Sequence, residues 1–394
     1  MKQTAITARL AGLGGAKWEI HARARQMKLN GADVIELTIG EPDVPTPDAL
    51  IEAAVRAMTE GRTGYSNGQG EPQLLQALSA RYSARLGRAV SVDNFMCFPG
   101  TQTALFAVLM AIAEAGCEVI VGDPMYATYE GLVAATGARV VPVALRPENG
   151  FRLDATDIAS RITPKTSAIF LNSPHNPTGS ILTPDEIRAI CEVARAHDLW
   201  VLADEVYEDL VFAGNTFTSP LALAEFADRV IVTSSISKSH AAPGFRSGWC
   251  AGPAEFIARL LPLAETMLFG NQPFIADMTA MAISGPSDVA KGMCERFSRR
   301  ADLLCAKLDG VEGLAVHRPQ AGMFALIDVR QTGLSGESFA LQLLEGTGVA
   351  VMPGESFGQS LAGWVRVALS QPDEAIAIAC ARIATFTHTL RKAA

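Results

Sequence analysis

Short apolar runs alternate with helix-like stretches between residues 95 and 255. The runs rich in β-branched residues predict strands at 118–121, 139–143, 167–171, 200–203, 230–233 and 248–251. Helices are predicted between several of them, for example over 183–197, which opens with Thr-Pro-Asp-Glu, a typical helix start. Strands that alternate with helices predict a mostly parallel sheet covered by helices on both faces, so the predicted fold class is α/β.

The remaining chain has a different pattern. Residues 254–310 look mainly helical, with an interruption near 284–287. Beyond them, the pattern predicts strands at 323–329 and 364–368 and helices at 337–344 and 372–390. We therefore predict a large domain over 48–285 and a smaller α+β domain formed by 1–47 together with 286–394.

Composition narrows the class of protein. The 394 residues are 49% hydrophobic and 19% charged, as expected for a well-packed enzyme. The net charge of −8, without a block rich in lysine or arginine, predicts no nucleic-acid partner. The apolar stretch 103–113 is too short to span a bilayer, so no membrane association is expected.

Cysteine and histidine spacing argues against metal. The seven cysteines form no Cys-x-x-Cys pair and the six histidines no His-x-x-x-His pair, so we predict no metal site. An odd, unpatterned set of cysteines and an N-terminus without a long apolar core predict a reducing cytoplasm.

The chemically informative residues follow the predicted strands one after another, at the edge where α/β sheets bind ligands. Lys238 comes just after the apolar run 230–232, among hydroxyl groups, with Arg246 eight residues on. This setting suits an amine that forms an imine with pyridoxal phosphate beside a bound phosphate. A surface lysine in a loop is the alternative.

Asp204 directly follows the predicted strand 200–203. A buried carboxylate there needs a cation, which a protonated pyridine nitrogen would supply, although a helix N-cap would explain the aspartate as well. Tyr207 and Asn176, the latter in a turn with two prolines and a glycine, could bond the ring oxygen and lower the pKa of the imine.

Gly100, Thr101 and Gln102 open an apolar helix, whose free N–H groups make an anion site. Ser235 and Arg246 could complete a clamp on a phosphate dianion.

Three further side chains are candidates with structural alternatives. Tyr65, on a glycine-rich loop, could donate to phosphate or pack at a turn. Tyr126 could stack on a flat ring or belong to the core. Arg366 lies in an otherwise apolar strand, where either a substrate carboxylate or an internal salt bridge would compensate its burial.

The motifs at 176–179, 204–207, 235–238, 244–246 and 365–367 resemble the class I/II aminotransferases of the aspartate aminotransferase fold. Segments 39–43 and 322–324 fit as well, so the resemblance covers nearly the whole chain in order. It implies a fold-type I pyridoxal phosphate enzyme, a transaminase that forms a homodimer with shared active sites.

The resemblance also implies roles. Lys238 becomes the Schiff-base lysine and proton carrier, and Asp204 the partner of the pyridine nitrogen. The remaining implied contacts are with the ring, the phosphate or the substrate: Asn176 and Tyr207 (ring oxygen), Tyr126 (stacking), Gly100, Thr101, Gln102, Ser235, Arg246 and the partner subunit's Tyr65 (phosphate), and Arg366, Gly40, Asn176 and Trp18 (substrate).

The substrate is less constrained. In a close subgroup that accepts aspartate or glutamate, the position aligned with Gln102 carries a lysine that holds the distal carboxylate. Its absence weakens the prediction of a dicarboxylate substrate, although another arginine could take its place. Segments 18–21, 123–126, 237–240, 267–270 and 323–328 resemble bacterial arginine–pyruvate transaminases. Our hypothesis is therefore a basic amino donor, with Glu19 a candidate to meet its cationic group, and pyruvate as acceptor. The alternatives are an aspartate or aromatic aminotransferase and a C–S β-lyase of the same fold.

Overall fold

The computed structural model describes residues 4–13 and 16–393. The strands, in chain order, are β1 (Ile35–Glu36), β2 (Phe95–Phe98), β3 (Glu118–Asp123), β4 (Arg139–Ala144), β5 (Thr166–Asn172), β6 (Trp200–Asp204), β7 (Val230–Ser235), β8 (Gly248–Ala251), β9 (Ala315–His317), β10 (Phe324–Asp328), β11 (Val349–Ala350), β12 (Met352–Pro353) and β13 (Trp364–Ala368). The α-helices are α1 (Ala5–Leu10), α2 (Glu19–Leu29), α3 (Asp48–Thr59), α4 (Pro72–Leu86), α5 (Thr101–Ile112), α6 (Tyr129–Thr136), α7 (Ala155–Ala159), α8 (Pro184–Ala196), α9 (Ile236–Ser239), α10 (Ala254–Met267), α11 (Pro273–Ile283), α12 (Asp288–Leu308), α13 (Gly336–Thr347) and α14 (Asp373–Ala393).

The largest sheet has seven strands in the order β2-β8-β7-β6-β5-β3-β4. Strands β3 to β7 pair in parallel, whereas β8 is antiparallel to both β2 and β7. The predicted α/β class with a mostly parallel sheet is confirmed. The strand β8 was predicted, but its antiparallel direction and the edge strand β2 were not, because the direction and neighbours of a strand are set by the path of its connections.

Helix ends follow local chemistry where the chain offers it. Helix α8 begins with Pro184 in its first turn, and the Thr183 hydroxyl accepts a hydrogen bond from the backbone N–H of Glu186. The Glu186 side chain in turn accepts from the Thr183 N–H, which completes a capping box. Helix α5 starts instead at Gly100, a residue with φ of 88°, and is buried over most of its length.

A second, smaller set of strands lies in the C-terminal part. Strands β12, β13, β10 and β9 form an antiparallel sheet, and β1 pairs in parallel with β11. One hydrophobic cluster joins the N-terminal segment to the C-terminal part. It contains Ile20 of α2 and Leu37 just after β1, together with side chains of β10, β13 and α14. The domain boundaries at 47/48 and 285/286 stay a prediction.

The topology brings polar residues to one edge of the large sheet. Asn172 and Asp204 end the neighbouring strands β5 and β6 and lie opposite each other in register. Ser235 ends β7, and the connection to β8 carries Lys238 and Arg246. Among the described residues, no helix is both long and apolar enough to cross a membrane.

Candidate active site

A cavity of about 270 Å³ lies at this edge, between the large sheet and β13. Its walls include almost every residue selected from the sequence: Trp18, Gly40, Thr101, Gln102, Tyr126, Asn176, Asp204, Tyr207, Ser235, Lys238, Arg246 and Arg366. Gly100 and Tyr65 do not line it, and Glu19 does not either.

Lys238 lies on the one-turn helix α9 and is half-buried in the cavity wall. Its Nζ donates a hydrogen bond to the carbonyl oxygen of Gly40 at 3.0 Å. Burial lowers the pKa of Lys238 to about 8, even though the nearby Glu41 favours the charged form. The amine is therefore partly neutral near physiological pH, as a nucleophile and a base must be. The surface-lysine alternative is wrong.

Asp204 is buried at the end of β6, with each oxygen held by a donor. The Tyr129 hydroxyl donates to Oδ2 at 2.8 Å, and the Val206 N–H donates to Oδ1 at 3.1 Å. Burial raises the pKa of Asp204 to about 6 despite these hydrogen bonds. The N-cap alternative is wrong, since residues 206–209 form turns and not a helix.

Asn176 connects two groups that face the cavity. Its Oδ1 accepts from Arg366 Nη1 at 3.1 Å, so the amide N–H groups remain as donors, within hydrogen-bonding reach of the Tyr207 hydroxyl. Tyr207 is buried beside it, and burial raises the pKa of the phenol well above its ordinary value. A neutral phenol and an amide N–H can each donate a hydrogen bond to an oxygen atom of a ligand that lies between them.

Arg366 is buried in β13 without a carboxylate partner among the described residues. Its guanidinium carbon lies 3.8 Å and 4.3 Å from the ring centroids of Phe324 and Phe357. Nη2 donates to the Thr38 carbonyl oxygen at 2.6 Å, while Nε is buried without a hydrogen-bond partner. Burial lowers the pKa of Arg366 to about 9. The internal salt bridge is therefore wrong, and the site has room for an external anion.

A second anion site lies at the start of α5. The Thr101 hydroxyl is buried without a partner, next to Ser235 and Arg246 on the cavity wall. Gly100 has φ of 88°, and a Cβ there would overlap the Arg246 guanidinium, so any other residue would be strained and would displace that guanidinium. An orphaned hydroxyl, a helix N-terminus and an arginine fit a phosphate group, and the buried amine and carboxylate nearby fit the rest of pyridoxal phosphate.

Three further side chains complete the cavity wall: Gln102, Tyr126 and Glu41. Gln102 Oε1 accepts from the Thr128 hydroxyl at 3.1 Å. Tyr126 packs edge-on against Tyr129, with ring centroids 5.6 Å apart. Glu41, which was not selected from the sequence, adds a carboxylate to this wall.

Tyr65 lies outside the cavity of its own chain. It is 94% exposed and packs edge-on against Phe269, itself 61% exposed, with ring centroids 6.0 Å apart. A contact between Tyr65 and a phosphate therefore requires a second chain.

Sequence reasoning missed Tyr129, Thr38 and the two phenylalanines around Arg366. Tyr129 had a weak signal, because it stands three residues after Tyr126 and begins a helix. Thr38 had none, since it contributes a backbone carbonyl. Among the described residues, no group of three His, Cys, Asp or Glu side chains could hold a metal ion.

Comparison with known proteins agrees with this geometry. Residues 32–383 match the family model for aminotransferase class I and II. The chain is 43% identical to arginine–pyruvate transaminase AruH of Pseudomonas aeruginosa over 98% of each protein. It is 35% identical to an aspartate/prephenate aminotransferase of Cereibacter sphaeroides, over 92% of this chain and 94% of that protein. A double mutant of Thermus thermophilus aspartate aminotransferase superposes with a TM-score of 0.91 at 31% identity, covering 98% of this chain and 99% of the other. The chain belongs to the class I and II aminotransferases.

Proposed function

We propose that this enzyme transfers the amino group of a basic L-amino acid, arginine best, to pyruvate by a ping-pong mechanism that uses pyridoxal phosphate. One observation carries the general reaction: a lysine with a pKa near 8 lines the same cavity as a buried carboxylate and a buried arginine that lacks an anion. These groups suit the cofactor amine, the cofactor ring and the substrate carboxylate, respectively.

The polar residues of the cavity wall would hold the cofactor. Asp204 would bond the ring nitrogen, Asn176 and Tyr207 the ring oxygen, and Thr101, Ser235 and Arg246 the phosphate, with Tyr126 stacked on the ring. Pyridoxal phosphate supplies an electron sink for the negative charge that develops when the α-proton leaves.

Lys238 then acts as the proton carrier. Once the lysine amine is free of the cofactor it would serve as the base, because its lowered pKa of about 8 makes the neutral form far more accessible than in an ordinary lysine. Nζ would take the proton from the α-carbon of the amino donor and return it to another carbon on the side that faces the lysine. The Gly40 carbonyl oxygen, 3.0 Å from Nζ, holds the amine beside residue 40.

Arg366 binds and orients the substrate carboxylate. The two rings beside it exclude water, so each charge-assisted hydrogen bond is strengthened by the low dielectric. Asn176 and Thr38 each occupy one donor of the guanidinium and fix its plane. The buried Nε keeps a free donor.

The basic donor is supported by the 43% identical relative named as an arginine–pyruvate transaminase and by the character of the cavity wall. Glu41 lines the cavity and makes no hydrogen bond or ion pair among the described residues, although its charge acts on the Lys238 amine, whereas Glu19 does not line the cavity. A carboxylate at this place favours a cationic side chain. The competing donor is aspartate, because several relatives at 32% identity are named aspartate aminotransferases.

A homodimer with shared active sites is part of the proposal. Tyr65 and Phe269 are exposed, and so are Ile51, Val55 and Met58 on α3. A cluster of exposed apolar side chains is typical of a surface that is covered by another chain. The seven cysteines are all free, which suits the proposed cytoplasmic location.

The test follows the visible band of the purified protein loaded with pyridoxal phosphate. Addition of arginine or ornithine should remove the band, and pyruvate should restore it, whereas Lys238→Ala should not form the band. Conversion by aspartate and not by arginine would overturn the basic donor but keep the aminotransferase. Release of pyruvate and ammonia from a cysteine conjugate without any 2-oxo acid would indicate a β-lyase instead.

A further inference from the structure

The backbone of residues 38–40 contacts both cationic groups that define the reaction. The Thr38 carbonyl oxygen accepts from Arg366 Nη2 at 2.6 Å. Two residues later, the Gly40 carbonyl oxygen accepts from Lys238 Nζ at 3.0 Å. Carbonyls two residues apart point the same way in an extended chain, so this stretch presents one edge to the site.

The opposite edge of the same stretch is held by the end of β13 and the residues that follow it. The carbonyl oxygen of Leu37 accepts from the Ala368 N–H at 2.9 Å, and that of Ile39 accepts from the Ser370 hydroxyl at 3.3 Å. The position of the two site-facing carbonyls therefore depends on how firmly the segment 36–43 is held from behind.

Asp43 ends this segment and is held by two arginines of α12. Arg296 donates from Nε and Nη2 to the two carboxylate oxygens, both at 2.7 Å. Arg300, which is buried, donates from Nη1 to Asp43 Oδ2 at 2.7 Å and also to the Leu369 carbonyl at 3.0 Å, beside the strand end. Its Nε donates to Asp373 at 2.9 Å.

This cluster is built to keep Asp43 charged. Burial opposes ionisation of the carboxyl, but the hydrogen bonds from Arg296 and Arg300 outweigh it, and the pKa of Asp43 lies below its ordinary value. Asp43 itself does not line the cavity. Its side chain therefore acts on the site through the backbone.

We propose that Asp43 is a positioning residue for the transamination site. Its ion pairs with Arg296 and Arg300 fix the segment 36–43, so that the carbonyls of Thr38 and Gly40 keep the guanidinium of Arg366 and the amine of Lys238 in register. The kinetic consequence rests on the proposed aminotransferase function, whereas the structural one does not.

Two variants and one matched control test this role. Asp43→Asn and Arg296→Gln each weaken the cluster, and Arg296 is partly exposed, so its replacement leaves the core intact. Arg299→Gln is the control, because Arg299 lies on α12 like Arg296 but donates to Asp373 at the start of α14 and makes no hydrogen bond to Asp43. Asp43→Glu, which keeps the charge, should recover part of any loss.

The first measurement is amide hydrogen exchange of residues 37–41, in protein with and without pyridoxal phosphate and without any amino acid. Exchange should rise by about tenfold or more in Asp43→Asn and Arg296→Gln and stay unchanged in Arg299→Gln. The second is the kinetic split: KM for the amino donor should rise roughly tenfold with little change in kcat, since orientation of Arg366 affects binding of the carboxylate.

The outcomes separate the two proposals. Unchanged exchange of 37–41 in both variants, or a KM change no larger than that of Arg299→Gln, would overturn the role of Asp43. Faster exchange in protein that reacts with no amino acid would support the role of Asp43 in holding the segment while refuting the proposed reaction.

Discussion

The hydroxyl of Tyr129 donates a hydrogen bond to Asp204 Oδ2 at 2.8 Å, joining the first turn of α6 to the end of β6. Both side chains are buried, and burial together with the charge of Asp204 raises the pKa of Tyr129 well above its ordinary value. The phenol is therefore a permanent donor. It stabilises the ionised carboxylate in a place where desolvation favours protonation, and in the proposed reaction this would help Asp204 to hold a proton on the ring nitrogen.

Replacing Tyr129 by phenylalanine should weaken this support. We expect kcat/KM to fall roughly ten- to a hundredfold, the range for losing a hydrogen bond to a buried charged group. The expected mechanism is a further rise in the pKa of Asp204, which lowers the fraction of carboxylate available to the ring nitrogen.

A double-mutant cycle separates this effect from a general loss of packing. In the Asp204→Asn background, Tyr129→Phe should cost little more, because the charge that the phenol stabilises is already gone. Additive losses in the cycle would contradict a direct role of Tyr129 through Asp204.

In the absence of pyridoxal phosphate, the protein with Lys238 should be less stable than a variant that lacks the lysine amine. Its pKa is about 8 in the folded protein against 10.5 for a free lysine, so the unfolded chain binds more protons between these values. Stability should therefore rise with pH from 8 to 10.5 as the penalty disappears. Lys238→Met should be more stable than the wild type by about 3 kcal/mol at pH 7 and by less than about 1 kcal/mol at pH 10.

Urea unfolding of the unloaded proteins at the two pH values measures this difference. Lys291→Met, at an exposed position, is the matched control and should show no comparable change with pH. A stability gain for Lys238→Met that is equal at pH 7 and pH 10 would contradict the lowered pKa.

The residues of the site differ in how clearly the sequence reveals them. Asp204 and Lys238 were identifiable because a polar side chain directly after an apolar strand is unusual and its position at the sheet edge follows from the fold class, which is confirmed. The hydrogen bond of Tyr129 and the carbonyl of Thr38 depend on how distant segments pack, which a local pattern does not encode. Arg366 illustrates the middle case: the strand was predicted, but only the three-dimensional structure separates a salt bridge from a free guanidinium between two rings.

Arg366→Lys should lose carboxylate binding while keeping the charge. A lysine cannot reproduce the planar fork that bonds Asn176 and Thr38 and still offers donors to a carboxylate. We expect KM for every amino donor to rise about thirtyfold or more, the cost of breaking one side of a buried charge pair. Arg330→Lys, at an arginine stacked on Trp364 outside the cavity, is the control. An equal KM in the two variants would refute the assignment.

Gly100→Ala should weaken binding of pyridoxal phosphate. The position has φ of 88°, and a methyl group there would displace the Arg246 guanidinium. We expect the dissociation constant to rise by about tenfold or more, equivalent to at least about 1.4 kcal/mol. Gly87→Ala is a matched control, because Gly87 has φ of 63° and open space around a Cβ. Equal cofactor affinity in Gly100→Ala and Gly87→Ala would contradict the phosphate site.

Tyr65 and Lys238 should belong to the same active site only across two chains. Tyr65→Ala should lower the affinity for pyridoxal phosphate, and Lys238→Ala should be inactive. When the two variants are unfolded together and refolded, mixed dimers should contain one site with both native side chains. Activity with the cofactor affinity of the wild type should therefore appear in the mixture and be absent from either variant refolded alone. If refolding together yields dimers but no such activity, Tyr65 does not serve the partner's site, and its exposed ring needs another explanation.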